Sequence, residues 1–260
     1  MTLAQRRAWL VQRRNRQRRQ GAAGISALAD LAGLLVEFRA VASSMSLNSD
    51  DLNSWSNVAG SAAVTLNYLG DGDAPPALVS NALGSGKDAV YFANGKLVAT
   101  VAWSPTDLTA IFVGSIDANN LLSSFPRWLS LERAALSEAD ASAADTWLVA
   151  GYDSTTQVFA ADRNGARPMA LPFDPTKNYL VATRKSGGTI TAWVKPFGEA
   201  VATASGATDN AGLVVDTFTV GGNRQPQNLA GLIAHIGLWN RALTDAEVLA
   251  ALDFLDGIYE

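Results

Sequence analysis

Beyond residue 24 the chain is built from short apolar runs separated by Gly, Asn, Asp, Ser and Pro. That texture belongs to strands, because an amphipathic helix would repeat its apolar positions every three or four residues over a longer window. Strands are predicted at Leu34–Arg39, Ala62–Leu69, Ala89–Phe92, Leu97–Trp103, Thr109–Val113, Thr146–Tyr152, Thr155–Ala161, Tyr179–Arg184, Thr189–Val194, Ala200–Ala204, Thr217–Val220 and Gly231–Trp239. No helix-length pattern alternates with them, so antiparallel sheets packed as a sandwich are expected rather than a parallel sheet with crossover helices. Ser186-Gly187-Gly188 and Asp162-Arg163-Asn164-Gly165 supply the turn chemistry of hairpins. The stretch Leu121–Asp145 is left without an assigned form, since its Ala, Leu and Glu favour helix while Pro126 and the flanking tryptophans do not.

The two ends differ from this body. Residues 2–20 lack Gly and Pro and are rich in helix formers, so a helix is predicted there. Its apolar stripe is only Leu3, Leu10 and Val11, too thin to bury against the chain's own core. At the other end Leu232, Ala234, Ile236 and Leu238 alternate onto one strand face, and Thr244-x-x-Glu247 is a capping box opening an amphipathic helix to about Leu255.

Charge divides the chain at the same place. The first twenty residues carry seven arginines (Arg6, Arg7, Arg13, Arg14, Arg16, Arg18, Arg19) and no acid, whereas the other 240 carry 13 basic and 24 acidic groups, a net charge of −11. Residues 1–24, closed by the hinge Gly21-Ala22-Ala23-Gly24, therefore read either as a solvated tail or as an anchoring arm that docks on an acidic protein surface or joins copies into a homo-oligomer. Nothing in the arm reads bases, which speaks against nucleic acid. The apolar stretch from Gly21 to Phe38 is interrupted by Asp30 and Glu37, so neither a signal sequence nor a membrane span is predicted. The absence of cysteine excludes disulfides, thiolate metal sites and Cys nucleophiles, and a single histidine, His235, excludes multi-His metal sites.

The run Ala230–Glu247, with Trp239-Asn240-Arg241-Ala242-Leu243 at its centre, resembles the terminal strand and helix start of concanavalin A-like, laminin G-like jelly-roll domains. Looser likenesses fall in order at Pro76–Gly95 and Asn178–Val194, and the departure is Lys195-Pro196-Phe197-Gly198, where an Asp-Gly or Asn-Gly turn is usual. The resemblance covers residues 34–258 and implies an all-β antiparallel jelly-roll sandwich, flanked here by the basic helix and the capped C-terminal helix. It also implies a carbohydrate or protein ligand.

For a sugar, the strand residues Trp193 and Trp239, with His235 beside Trp239, are the candidates, although a strand Trp in a sandwich is more often core than platform. His235 has the alternative role of a hydrogen-bonded inter-strand residue. Calcium is the one ion the family's use of oxygen-rich loops suggests, and Asp71 and Asp73 would hold it, against the plain reading of Asp as a turn residue. No other cofactor is expected. Only six Glu are present, and no strand carries a carboxylate pair, so the sequence reading places the chain as a non-enzymatic binding protein. The arm-plus-sandwich layout resembles phage and phage-like particle appendages, which gives the expectation of a virion-surface spike, fibre or decoration protein. Its partners would be a host surface glycan and other particle proteins. A free lectin-like module and a glycoside hydrolase are the alternatives.

Overall fold

A computed structural model describes residues 25–70, 74–83, 86–117, 127–132, 147–153, 157–160, 169–172, 174, 176–208, 214–222 and 229–259. The expected N-terminal helix and arginine arm, the Asp162–Gly165 turn and most of Leu121–Asp145 lie outside these residues.

The described chain is mostly β, one large antiparallel sheet with one C-terminal helix. Its strands are β1 (Leu34–Arg39), β2 (Met45–Asn48), β3 (Asp51–Ser56), β4 (Thr65–Tyr68), β5 (Ala77–Val79), β6 (Ala89–Ala93), β7 (Leu97–Trp103), β8 (Leu108–Ile116) and β9 (Arg127–Glu132). They continue as β10 (Trp147–Asp153), β11 (Gln157–Ala160), β12 (Met169–Pro172), β13 (Tyr179–Ser186), β14 (Thr189–Pro196), β15 (Ala202–Ala207), β16 (Val215–Val220) and β17 (Ala230–Trp239), and the helix is α1 (Asp245–Tyr259).

Pairing divides the sheet into two halves. One runs β15-β14-β13-β8-β17-β1. The other runs β12-β11-β10-β9-β16-β7-β4-β3-β2. β6 pairs with the first residues of β17, and β5 links β6 to β3, so the halves are continuous through them. The halves face each other across a core. Phe38 of β1 meets Trp55 of β3 edge-on at 5.6 Å and Phe218 of β16 at 6.0 Å, and Phe112 of β8 meets Trp128 of β9 at 5.0 Å.

The outer face of the first half is covered too. Helix α1 lays Val248, Leu252, Leu255 and Tyr259 onto Ile111, Val113, Leu180, Ala182, Trp193, Ala234 and Trp239. This corrects the face assignment of the last strand. β17 has an irregularity in its pairing with β8 between Ile233 and His235. Before it Leu232 and Ala234 join the helix-side cluster, and after it Ile236 and Leu238 join the core between the halves. A one-residue slip in a two-residue period exchanges the faces, so an unbroken alternation could not describe this strand. With cores on both sides, the strand is buried almost throughout.

Candidate functional site

The Trp239–Glu247 segment that carries the family resemblance turns out to be a clasp. Trp239 is fully buried, and its indole N–H donates to the Leu31 carbonyl at 3.3 Å. The Arg241 guanidinium donates to the carbonyls of Ala32 (2.7 Å) and Ala242 (3.4 Å) and to both Glu247 oxygens (3.0 and 2.6 Å). Thr109 Oγ1 donates to the Arg241 carbonyl and accepts from Leu243 N–H, both at 2.9 Å. Glu247 accepts from the backbone N–H of Thr244, whose hydroxyl accepts from Glu247 N–H, so the predicted capping box is formed. Gly33 holds φ +83°, and a Cβ there would lie 2.8 Å from Asn240 Oδ1, which is why the chain needs glycine where residues 31–33 press against this corner.

The hydrogen bond from Arg241, then those from Thr244, hold the Glu247 carboxyl down at about 2. A carboxyl lowered on folding stabilises the protein above its ordinary value, near 4.5, and that contribution is lost as pH falls toward 2. The pair is only partly covered, with side chains 33% and 28% exposed. Glu247→Gln is therefore expected to cost about 1 kcal/mol at pH 7 and almost nothing at pH 2, checked by urea unfolding at the two pH values.

Behind this corner opens a cleft of about 410 Å³, lined by Leu35, Ala102, Trp103, Ser104, Pro105, Thr106, Asp107, Asn240 and Arg241. That volume lies within the range of small-molecule sites. Trp103, half-buried at the end of β7, rests on Phe218 with ring centroids 5.9 Å apart. The loop after it is pinned: Asp107 Oδ1 accepts from Gly187 N–H at 2.7 Å, and the fully buried Lys185 ammonium donates to the carbonyls of Thr106 (3.1 Å) and Gly187 (3.2 Å). The lining thus brings an aromatic side chain beside a carboxylate, an amide and hydroxyls, on a loop held in place.

The residues singled out from the sequence lie elsewhere. Trp193 is buried under α1 with the Arg184 guanidinium 4.9 Å from its ring centre, and Trp239 is core. Neither presents a face to solvent, because the helix covers the side of the sheet that they share. His235 is buried as well, between Glu37 and Tyr259. Its Nε2 lies 2.9 Å from Glu37 Oε1 and its Nδ1 3.2 Å from the Tyr259 hydroxyl. A carboxylate can only accept, so Nε2 carries the proton, and the Tyr259 hydroxyl has two acceptors for its own, Nδ1 and the Ala234 carbonyl at 3.3 Å. Burial lowers the imidazole pKa against the pull of Glu37, and burial lifts the Tyr259 phenol far above its usual value. Desolvation works against the Glu37 charge, but hydrogen bonds from His235 and Arg39 outweigh it and hold the carboxyl below its ordinary value. Asp71 and Asp73 lie outside the described residues, and among those described no cluster of three or more His, Asp or Glu could hold a metal ion.

Trp103 was the missed residue. The sequence does mark it: an aromatic ends a strand and runs into Ser104-Pro105-Thr106-Asp107, a polar turn at a strand end, where binding residues gather. A smaller, mostly apolar hollow of about 240 Å³ lies along Val79, Ala82, Tyr91, Ser115, Asp117, Gly231 and Leu232. Burial, and then the charge of Asp117, raise the Tyr91 phenol pKa, the reverse of what a tyrosine nucleophile needs.

No family model matches the sequence, and no curated protein does. Solved structures do share the fold. A Trypanosoma rangeli sialidase matches at 19% identity over 87% of this chain and 33% of its own, with a TM-score of 0.55, and the same organism's sialidase in complex with sialic acid at 18%, 87% and 33%, with a TM-score of 0.56. The enzymatically active domain of bacteriophage CBA120 tailspike protein 2 matches at 11% over 70% of this chain and 29% of its own, with a TM-score of 0.48, too slight a likeness to argue from. The chain spans about a third of the length of the sialidases it matches, and at these identities the likeness establishes the fold alone. The expectation of a non-catalytic particle appendage is nonetheless corrected by them. Several of the solved structures that share this fold are of that sialidase, a glycoside hydrolase, where the expectation was of a protein that only binds.

Proposed function

We propose that the chain serves glycoside hydrolysis, holding a carbohydrate in the cleft between Trp103 and Asn240. The observation that carries this is the cleft itself: Trp103 beside Ser104, Asp107 and Asn240 on a pinned loop. Sialidases among the solved structures of the same fold support a carbohydrate rather than a peptide as its occupant. We further infer a jelly roll of the concanavalin A-like kind. The two facing halves of the sheet and the capped helix laid on one of them support it.

Hydrolysis needs two carboxylates, about 5–5.5 Å apart for retention or 6.5–9.5 Å for inversion. Among the described residues the cleft lining holds one, Asp107, so turnover here requires a second acid brought to the same sugar. A shallow site of this kind binds a short glycan at about the millimolar level. Trp103→Ala removes the stacking surface and is expected to weaken binding about tenfold, a loss of about 1.4 kcal/mol, with the fold intact. Glycan titration of both proteins, with released reducing sugar measured alongside, checks it. If the unaltered chain retains no glycan and releases no sugar, or if the variant binds equally, the cleft is not the site.

A further inference from the structure

The charges around the cleft name the class of sugar it takes. Among the described residues two cations adjoin it, and both are committed to the protein. Arg241 gives its N–H groups to Ala32, Ala242 and Glu247, and the two Glu247 oxygens cancel its charge at 2.6 and 3.0 Å. Lys185 is fully buried and points its ammonium at the carbonyls of Thr106 and Gly187 rather than into the cleft. The remaining charge on the lining is Asp107. Its Oδ1 accepts from Gly187 N–H, and its Oδ2 takes no hydrogen bond from the described residues. Asn240, exposed at the rim, adds an amide that both donates and accepts. A carboxylate with an open oxygen is a good acceptor for sugar hydroxyls, and it repels an incoming carboxylate that no free cation among the described residues is there to meet. The field of the body, net −11 over residues 21–260, acts in the same direction.

We propose that the cleft selects neutral, hydroxyl-rich sugars and rejects sugars that bear a carboxylate, sialic acid among them. This rests on the reading of the cleft as the glycan site. It also separates the chain in specificity from the sialidase, solved with sialic acid, whose fold it shares.

The test is a glycan array of matched pairs that differ only in a terminal sialic acid or in a uronic-acid carboxyl. It is probed with the full chain, with Trp103→Ala and with Asp107→Asn, and the melting temperature of each variant is checked first. The neutral member of each pair is expected to be retained at least tenfold more strongly, with that binding lost in Trp103→Ala. Asp107→Asn keeps an oxygen for Gly187 N–H and is expected to narrow the gap threefold or more. Equal or stronger retention of the charged members, still dependent on Trp103, overturns the selectivity and leaves the cleft as the site. A gap that Asp107→Asn leaves unchanged overturns it too, since the preference would then arise elsewhere. Binding that does not depend on Trp103 removes the site and the selectivity together.

Discussion

Lys195→Met is expected to destabilise the protein by about 3–5 kcal/mol and to lower its melting temperature by roughly 10 °C. Lys195, at the end of β14, is 5% exposed, and its ammonium reaches Asp256 at 2.7 Å and Asp253 at 3.1 Å. Asp256 is only 1% exposed and sits in the last turns of α1. There the helix dipole presents its negative end, and an acid is unwelcome. The ammonium offsets both that repulsion and the desolvation of the carboxylate. Methionine matches the length of lysine, so packing is nearly kept and the loss reports the stranded charge. Two further variants make this decisive. Lys195→Met with Asp256→Leu is expected to recover most of the stability, because a buried pair replaced by apolar groups of similar size is often neutral or better. Asp253→Asn, at a position 53% exposed, should shift stability by less than about 1 kcal/mol. A single variant as stable as the double one would mean that the pair does not pin the helix.

That same lysine shows where the sequence stops being readable. Nothing in Lys195-Pro196-Phe197-Gly198 itself marks the lysine as buried, because its partners lie 58 and 61 residues away, on the helix it anchors. The alternating apolar runs were legible. β1 and β7 have the predicted bounds, and β13, β14 and β17 extend theirs by one or two residues at an end. Strands without a strong apolar signal were not. Met45–Asn48 and Asp51–Ser56 are built from Ser, Asn and Asp around one or two inward residues, a composition that turns share. The site was hidden for the opposite reason. Trp193, Trp239 and His235 draw attention as aromatic and polar residues on strands, yet a helix covers that face. Trp103, at a strand end beside a polar loop, lines the cleft instead. Which face a strand buries depends on what is laid upon it, and periodicity along one strand does not contain that.

Buried polar residues also set how the fold responds to acid, and the Glu37, His235, Tyr259 and Arg39 group is expected to dominate that response between pH 7 and 4. Glu37 and His235 are 0% and 1% exposed. Arg39 donates to Glu37 Oε1 through two nitrogens, both at 2.7 Å, and compensates the carboxylate. An imidazolium here would be desolvated and would face Arg39 as well as Glu37, so burial disfavours the charged ring in the fold despite the pull of Glu37. Its folded pKa thus lies below the ordinary 6.5. The unfolded chain then binds the extra proton, and stability present above pH 6.5 is lost as pH falls below it. Glu37 is likewise lowered, so its contribution is present above about 4.5 and declines below that, adding to the same trend. Removing the titrating ring should flatten the upper part of this window. His235→Gln keeps an amide near Glu37 and Tyr259 but leaves unfilled space, at a cost of about 2–3 kcal/mol at pH 7. From pH 7 to pH 5 the unaltered chain should lose stability that the glutamine variant does not. Urea unfolding of both proteins at pH 7.5, 6 and 5 measures the two slopes. Parallel slopes would mean that His235 has the same pKa folded and unfolded, and a gain in stability toward pH 5 relative to the glutamine variant would mean that Glu37 holds the ring charged despite its burial.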